Sequence, residues 1–162
     1  MSILPPRPGK WYLTGPMSGM PQLNIPVFDY ATKVLRMQGW DVISPAEMDS
    51  DKYRAEALQL PAGASPPTCD GTWGDILARD VKIVADQVEG LILLPHWQGS
   101  RGARLEVFVA LLCQKQFAKF HWEEEAVTML SVKFIKSEFT RALYNLPSSS
   151  LVVGKRRPPR DY

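Results

Sequence analysis

The chain has 162 residues, of which 45% are hydrophobic, and its formal net charge at pH 7 is +2. This length suits one domain with a full-sized core. No apolar run approaches the roughly 18 residues of a membrane-spanning helix, and so small a net charge gives no reason to expect nucleic-acid binding. We therefore expect a soluble globular protein.

The ends of the chain differ in composition from its middle. Residues 1–10 are rich in proline and predict an N-terminal arm without the apolar core of a signal peptide, so we expect a cytoplasmic protein. Residues 11–146 predict the folded domain, and residues 147–162 a basic, solvated C-terminal tail. The two cysteines, Cys69 and Cys113, share no metal-binding spacing and are expected to be reduced thiols, with Cys113 inside a buried helix.

The first half of the domain alternates between strand and helix signals. Trp11–Leu13 predicts a short strand, followed by the turn Thr14–Gly19, whose residues tolerate unusual backbone angles. Asn24 is expected to cap a helix that Gly39 ends. Residues 40–43 predict the second strand. This order favours an α/β domain.

Residues 49–74 lose all periodicity and contain several prolines and glycines, which predicts a short helix and a long loop. A loop of this length is unusual in a compact domain unless it covers a site. Thr72 and Asp75 then have the spacing of a capping box, and the helix that they open carries an apolar stripe.

Asp80 falls inside this apolar stripe, three or four residues from its members. A buried carboxylate is costly unless it is paired or used chemically. The structural alternative is an ion pair with Arg79 or Lys82. Both of these side chains are predicted to point off the stripe, so we favour a functional role for Asp80.

Residues 90–95 predict a buried parallel strand, and a glycine-containing turn leads from it to the apolar helix Leu105–Leu112. The helix start offers backbone N–H groups and a positive dipole to an anion. Arg101 and Arg104 add positive charge there. We expect this turn to hold a phosphate-sized group.

Glu106 lies in the first turn of that helix, among apolar residues. The structural alternative is a carboxylate that only offsets the helix dipole. Together with Asp80, however, it makes a pair of carboxylates on two separate helices. Such pairs suit cleavage of a glycosidic bond, a mechanism that needs no metal and no cofactor. His96 and His121 are interpreted as strand-end or surface residues rather than catalysts.

The end of the domain predicts a last strand over residues 118–122 and a long helix over residues 124–143. That helix carries apolar residues on two sides, and a single sheet covers only one stripe of a helix. The surplus face predicts a homodimer or a larger homo-oligomer. The alternative is that Leu151–Val153 of the tail fold back over it.

Three segments resemble the signatures of the nucleoside 2-deoxyribosyltransferase-like superfamily: Tyr12–Gly19, Asp80, and Ser100–Glu106. The superfamily includes the 2′-deoxynucleoside 5′-monophosphate N-glycosidases, and the chain is most similar to an uncharacterised branch common in phage genomes. The resemblance covers about residues 11–122. It implies a single Rossmann-like domain with a five-stranded parallel sheet flanked by helices, and a dimer or larger assembly.

The same resemblance implies roles for individual residues. Glu106 would be the nucleophile that attacks the anomeric carbon of the sugar. Asp80 would orient the sugar or protonate the departing base, and Tyr12 would hydrogen-bond Glu106. Gly15 and Ser18 would line the loop against sugar and base.

The serine at position 100 distinguishes branches of the superfamily, because the transferases carry an aspartate there and the monophosphate hydrolases a serine. A hydroxyl and nearby arginines attract a phosphate dianion, which a carboxylate would repel. Ser100, Arg101, Gly102 and Arg104 are therefore expected to bind phosphate. Ser131 weakly matches a serine that reaches the phosphate site of the neighbouring subunit.

These observations predict an N-glycosidase that acts on (deoxy)nucleoside 5′-monophosphates, with a small-molecule nucleotide as its partner and no membrane or nucleic acid. Two alternatives remain open. One is a nucleoside 2-deoxyribosyltransferase that moves a base between deoxynucleosides. The other is a nucleotide-binding module that cleaves nothing, although binding alone would need neither buried acid.

Overall fold

The computed structural model describes residues 7–144. Residues 1–6 of the predicted arm and the whole predicted tail therefore lie outside the described residues. The helices and strands follow one another in this order: β1 Lys10–Thr14, α1 Ile25–Met37, β2 Asp41–Ile43, α2 Pro45–Met48, α3 Asp51–Ala57, α4 Trp73–Asp86, β3 Gly90–Leu93, α5 Arg101–Leu112, β4 Gln116–His121, β5 Ala126–Leu130 and α6 Val132–Tyr144. Single turns of 3₁₀-helix precede α1 and α5.

The five strands form one sheet in the order β2-β1-β3-β4-β5. Strands β2, β1, β3 and β4 are parallel, whereas β4 and β5 are antiparallel. The Rossmann-like α/β class and the number of strands are thus confirmed, but the purely parallel sheet is wrong. The physical reason is the connection: only residues 122–125 join β4 to β5, and so short a link closes a hairpin, since a parallel pair needs a crossover.

The end of the domain departs from the predicted long helix over residues 124–143. Residues 126–130 form strand β5, and the helix begins only at Val132. Pairing with β4 decides the conformation of this segment, whose apolar residues fit a helix or a strand about equally well. Val127 and Leu130, which formed part of the two-sided apolar pattern behind the predicted homodimer, lie in β5 and not on the helix.

Two helix starts differ in how they form. The predicted capping box at α4 is confirmed: Thr72 Oγ1 accepts from the backbone N–H of Asp75 at 3.3 Å, and Asp75 Oδ2 accepts from the N–H of Thr72 at 2.7 Å. Asn24 does precede α1, but it has a φ of 59° and its side chain does not cap the helix. Its Nδ2 instead donates to the carbonyl of Pro16 at 2.8 Å, and this contact fixes the loop that follows β1.

Helix α5 is not buried on all sides, contrary to the prediction. Its inner face holds Ala103, Glu106, Val107 and Ala110, whereas Phe108 and Leu112 are 42% and 66% exposed. Cys113, expected inside the helix, is exposed at its C-terminal cap. The helix therefore lies on the sheet with one face and turns the other outward.

Apolar residues pack on both faces of the sheet. Trp11 and Leu13 of β1 face the side covered by α1, and Tyr12 faces the side covered by α4 and α5. Because side chains alternate along a strand, Thr14 shares the face of Tyr12. No helix in the range 7–144 has both the length and the apolarity needed to cross a membrane.

Candidate active site

A cavity of about 430 Å³ lies beyond the carboxyl end of β1. Its walls come from the loop after β1, the segment 63–68, and the first turns of α4 and α5. Seven of the residues predicted from the sequence line it together: Gly15, Ser18, Asp80, Ser100, Arg101, Gly102 and Glu106. This is the edge at which open α/β sheets bind their ligands.

Glu106 projects from α5 toward strand β1 and is 6% exposed. Its Oε1 accepts a hydrogen bond from the hydroxyl of Tyr12 at 3.3 Å. Its Oε2 accepts another from Oγ1 of Thr14. Since Tyr12 and Thr14 are both fully buried on the same face of β1, the sheet holds the carboxyl group in one orientation.

The surroundings of Glu106 favour its neutral form. Burial raises the pKa of Glu106 to about 8, the nearby charge of Asp80 adds to this, and the hydroxyl donors Thr14 and Tyr12 act against it. The pKa of Tyr12 is raised well above its usual value, mainly by burial and by the charge of Glu106. Tyr12 therefore stays a hydrogen-bond donor throughout the physiological pH range.

Asp80 is also 6% exposed, as its place in the apolar stripe predicts. Contrary to the prediction that Arg79 points off the stripe, Nε of Arg79 lies 2.9 Å from Oδ1 of Asp80. Nη1 of the same guanidinium lies 3.0 Å from Oδ1 of Asp49. The pKa of Asp80 is raised above its usual value, mainly by burial; the Arg79 guanidinium acts in the opposite direction, and the charge of Asp49 adds to the rise.

The first turn of α5 faces the cavity with groups suited to an anion. Ser100 caps the helix by accepting from the N–H of Ala103 at 3.2 Å. The first backbone N–H groups of a helix have no partner within it, and those of Arg101 and Gly102 belong to this class. The Arg101 guanidinium carbon lies 5.0 Å from the ring centre of Trp73, so a cation lies at the entrance of the cavity.

Two residues predicted for the site lie elsewhere. Arg104 is not among the residues that line the cavity, and its Nη1 donates to the carbonyl of Gln98 at 3.2 Å. Ser131 caps α6, where its Oγ accepts from the N–H of Phe134 at 3.1 Å. The role that the resemblance implies for Ser131, contact with the phosphate site of a neighbouring subunit, stays a prediction.

The long segment between α3 and α4 covers the cavity. The N–H of Gly63 donates to the carbonyl of Gly19, and the N–H of Gln22 to that of Leu60, both at 2.8 Å. Asp70 accepts from the backbone N–H of Ser50 at 2.7 Å. The loop is thus tied to the rest of the domain at both ends, and it closes the site, as its unusual length suggests.

Three residues at this site, Thr14, Trp73 and Asp49, were not predicted from the sequence, and Arg79 was considered only as a partner of Asp80 that points off the stripe. Thr14 could have been found, because it lies two positions after Tyr12 on a strand and therefore on the same face. Trp73 lies in the first turn of the predicted helix α4 but belongs to no motif. Asp49 stands in an aperiodic segment, where no pattern of spacing relates it to α4.

Other candidate groups take no part in the cavity. His121 Nε2 lies 2.8 Å from Oγ1 of Thr128 on the β4–β5 hairpin, and neither His121 nor His96 lines the cavity. Within residues 7–144, no cluster of three His, Cys, Asp or Glu side chains is arranged to hold a metal ion.

Comparison with known proteins gives one match. The profile of a family described as "Domain of unknown function (DUF4406)" matches residues 9–119. The chain belongs to the DUF4406 family. The matched region of this DUF4406 chain runs from β1 to β4 and includes the whole Tyr12–Thr14–Glu106 contact. No curated protein and no solved structure matches the chain significantly.

Proposed function

We propose that this protein is an N-glycosidase that hydrolyses the base–sugar bond of (deoxy)nucleoside 5′-monophosphates. The observation that carries the proposal is the carboxyl group of Glu106, buried in a cavity and oriented by two hydroxyl donors of β1. A second carboxylate, Asp80, lines the same cavity. Two carboxylates of unlike environment are what cleavage of a glycosidic bond requires.

The reaction divides into two steps. The ionised carboxylate of Glu106 forms a bond to the anomeric carbon, and the bond from that carbon to the base nitrogen breaks, with its electron pair leaving on the base. The base takes up a proton from Asp80 or from water. A water molecule then attacks the same carbon, and the bond from that carbon to the Glu106 oxygen breaks. The proton of the water returns to the group that protonated the base, which leaves the free sugar phosphate and the ionised Glu106.

The rest of the cavity supports a nucleotide of this kind. Its volume of about 430 Å³ lies within the usual range of sites for small molecules. Ser100, Gly102 and Arg101 offer a hydroxyl, helix N–H groups and a cation to the 5′-phosphate. The loop of Gly15 and Ser18 lines the same cavity, where it would contact the sugar and base.

Gly15 lets the loop that lines the cavity pack closely against the residue after β3. A Cβ at this position would lie 2.8 Å from Cβ of Leu94, closer than side-chain atoms pack. A larger residue at position 15 would therefore displace this part of the cavity wall.

The experiment is incubation of the protein with a panel of nucleosides and their 5′-monophosphates, followed by detection of free base. We expect base release from monophosphates and much less from nucleosides. Base release only when a second base is supplied as acceptor would replace the proposal by the transferase alternative. Binding of monophosphates without release of base would favour the non-catalytic module.

A further inference from the structure

The ion pair between Arg79 and Asp80 has an unusual geometry. Neighbouring residues on an α-helix project about 100° apart and do not face each other. Nε of Arg79 nevertheless lies 2.9 Å from Oδ1 of Asp80. The Arg79 side chain must therefore bend along its own helix, and an outside contact has to hold it there.

Asp49 supplies that contact. Its side chain is 3% exposed, lies after helix α2, and meets Nη1 of Arg79 at 3.0 Å. The guanidinium thus bridges two buried carboxylates from different segments. Other charged groups near Asp49 have partners of their own, because Asp70 is bound by Ser50 and Arg54 pairs with Asp29.

The charged neighbours of the carboxyl groups at the cavity decide which of these groups is protonated. Three buried carboxyl groups, those of Asp49, Asp80 and Glu106, line it. Arg79 forms ion pairs with Asp49 and Asp80, whereas the partners of Glu106 are hydroxyl groups. A buried carboxyl group without a cation is the one that keeps its proton.

We propose that Asp49 and Arg79 are positioning residues that hold Asp80 ionised and thereby leave the proton of the substrate-free cavity on Glu106. An ionised Asp80 accepts a hydrogen bond from a sugar hydroxyl and does not protonate the departing base. This role of Asp80 rests on the proposed function, but the distribution of protons does not.

The groups that face Asp80 are known from each surrounding element. They are Arg79 on its own helix, Asp49 after α2, Tyr12 on β1 and Glu106 on α5. The rise in the pKa of Glu106 to about 8, caused by burial and by Asp80, agrees with the distribution proposed from the contacts.

The experiment is a pH titration of the Asp and Glu side-chain carboxyl groups by NMR in the substrate-free protein. In the wild type, Asp80 is expected to titrate at lower pH than Glu106. Arg79→Gln should raise the midpoint of Asp80 by about one pH unit or more, because an adjacent opposite charge is lost. An unchanged midpoint would overturn the proposal.

Two substitutions of Asp49 separate anchoring from simple charge effects. Asp49→Ala removes the anchor, so Arg79 is released and the midpoint of Asp80 should rise. Asp49→Asn keeps an oxygen that can accept from Nη1 of Arg79 and removes only a negative charge near Asp80. The titration midpoint of Asp80 should therefore fall or stay unchanged. A fall in both variants would overturn the anchoring role.

Asp29→Asn is the matched control, because it neutralises the partner of Arg54 on α1 and should leave Asp80 unchanged. Amide NMR spectra report whether each variant is folded, and Arg79→Gln decides the proposal if Asp49→Ala does not fold. The titration needs no substrate, so its result does not depend on glycosidase activity.

An activity measurement tests the role of Asp80 toward the sugar. If the protein is active, Asp80→Asn should slow release of all bases by a similar factor. A loss confined to bases that are poor leaving groups would contradict the sugar-binding role.

Discussion

The hydroxyl of Tyr12 lies 3.3 Å from Oε1 of Glu106, although 94 positions separate the two residues. The contact joins a central strand of the sheet to the inner face of α5. Thr14, two residues after Tyr12, donates to the other oxygen of the same carboxyl group. Strand β1 therefore fixes both the place and the orientation of the proposed nucleophile.

Thr14→Val tests the contribution of this second donor. The substitution keeps the shape of the side chain and removes the hydroxyl that favours the ionised form of Glu106. Hydrogen bonds to charged groups contribute about 1.5–3 kcal/mol, so the pH needed for activity should rise by about one unit or more. The measurement is kcat/KM for a monophosphate as a function of pH.

Thr32→Val is the matched control for this substitution. Thr32 is 1% exposed on α1, and its Oγ1 has no partner among the described residues. The same change there removes a buried hydroxyl without touching the site. A similar shift in both variants would mean that the effect of Thr14→Val is a general loss of packing.

The pH dependence of the wild type follows from the raised pKa of Glu106. Attack on the sugar requires the ionised carboxylate. In the substrate-free protein, however, Glu106 has a pKa of about 8 and is mostly protonated at lower pH. The activity should therefore increase with pH and level off above about pH 8. The increase is expected in kcat/KM, because its pH dependence reflects the pKa values of the free enzyme. A kcat/KM that falls between about pH 6 and pH 8 would contradict the nucleophilic role of Glu106.

Arg101 and Arg104 form a matched pair for the phosphate contact. Arg101 lines the cavity and lies over Trp73, whereas Arg104 donates to Gln98 outside the lining. Arg101→Ala should weaken monophosphate binding by about 1.5–3 kcal/mol and leave nucleoside binding unchanged. Calorimetry with both ligands measures this. An equal loss in Arg104→Ala would show that the effect is not a local contact.

The homodimer stays a prediction, and exposed aromatic side chains now motivate it. Phe108 of α5 stacks on Phe139 of α6 with ring centres 5.6 Å apart, and Phe108 and Phe134 are 42% and 49% exposed. Exposed apolar patches often mark interfaces. Light scattering at micromolar concentration should give twice the chain mass of 18.2 kDa; the mass of one chain would contradict the dimer.

Most helices and strands could be predicted from the sequence, because their boundaries are marked by residues close together in the chain. Thr72 and Asp75 mark the start of α4 by chemistry confined to four residues, and the structure reproduces it. Residues 126–130 were predicted as helix but form a strand, because pairing with β4 decides their conformation. No local pattern contains that information.

The candidate site divides in the same way. Glu106 and Asp80 were visible from the sequence because a carboxylate within an apolar stripe is unusual, and both line one cavity. Asp49 was not visible, because its importance depends on a contact with Arg79, 30 positions away. The interpretation of Arg79 as pointing away was wrong for the same reason: its direction depends on Asp49 rather than on helix geometry.

The most direct test compares base release from a nucleoside 5′-monophosphate by the wild type and by Glu106→Gln. Glutamine has the same shape and removes the ionisable group, and thermal unfolding monitored by circular dichroism verifies that the variant is folded. We expect rapid release of free base by the wild type and none above background by the variant. A variant that keeps more than about a tenth of the wild-type turnover, a barrier difference below about 1.4 kcal/mol, would contradict the assignment of Glu106 as the nucleophile.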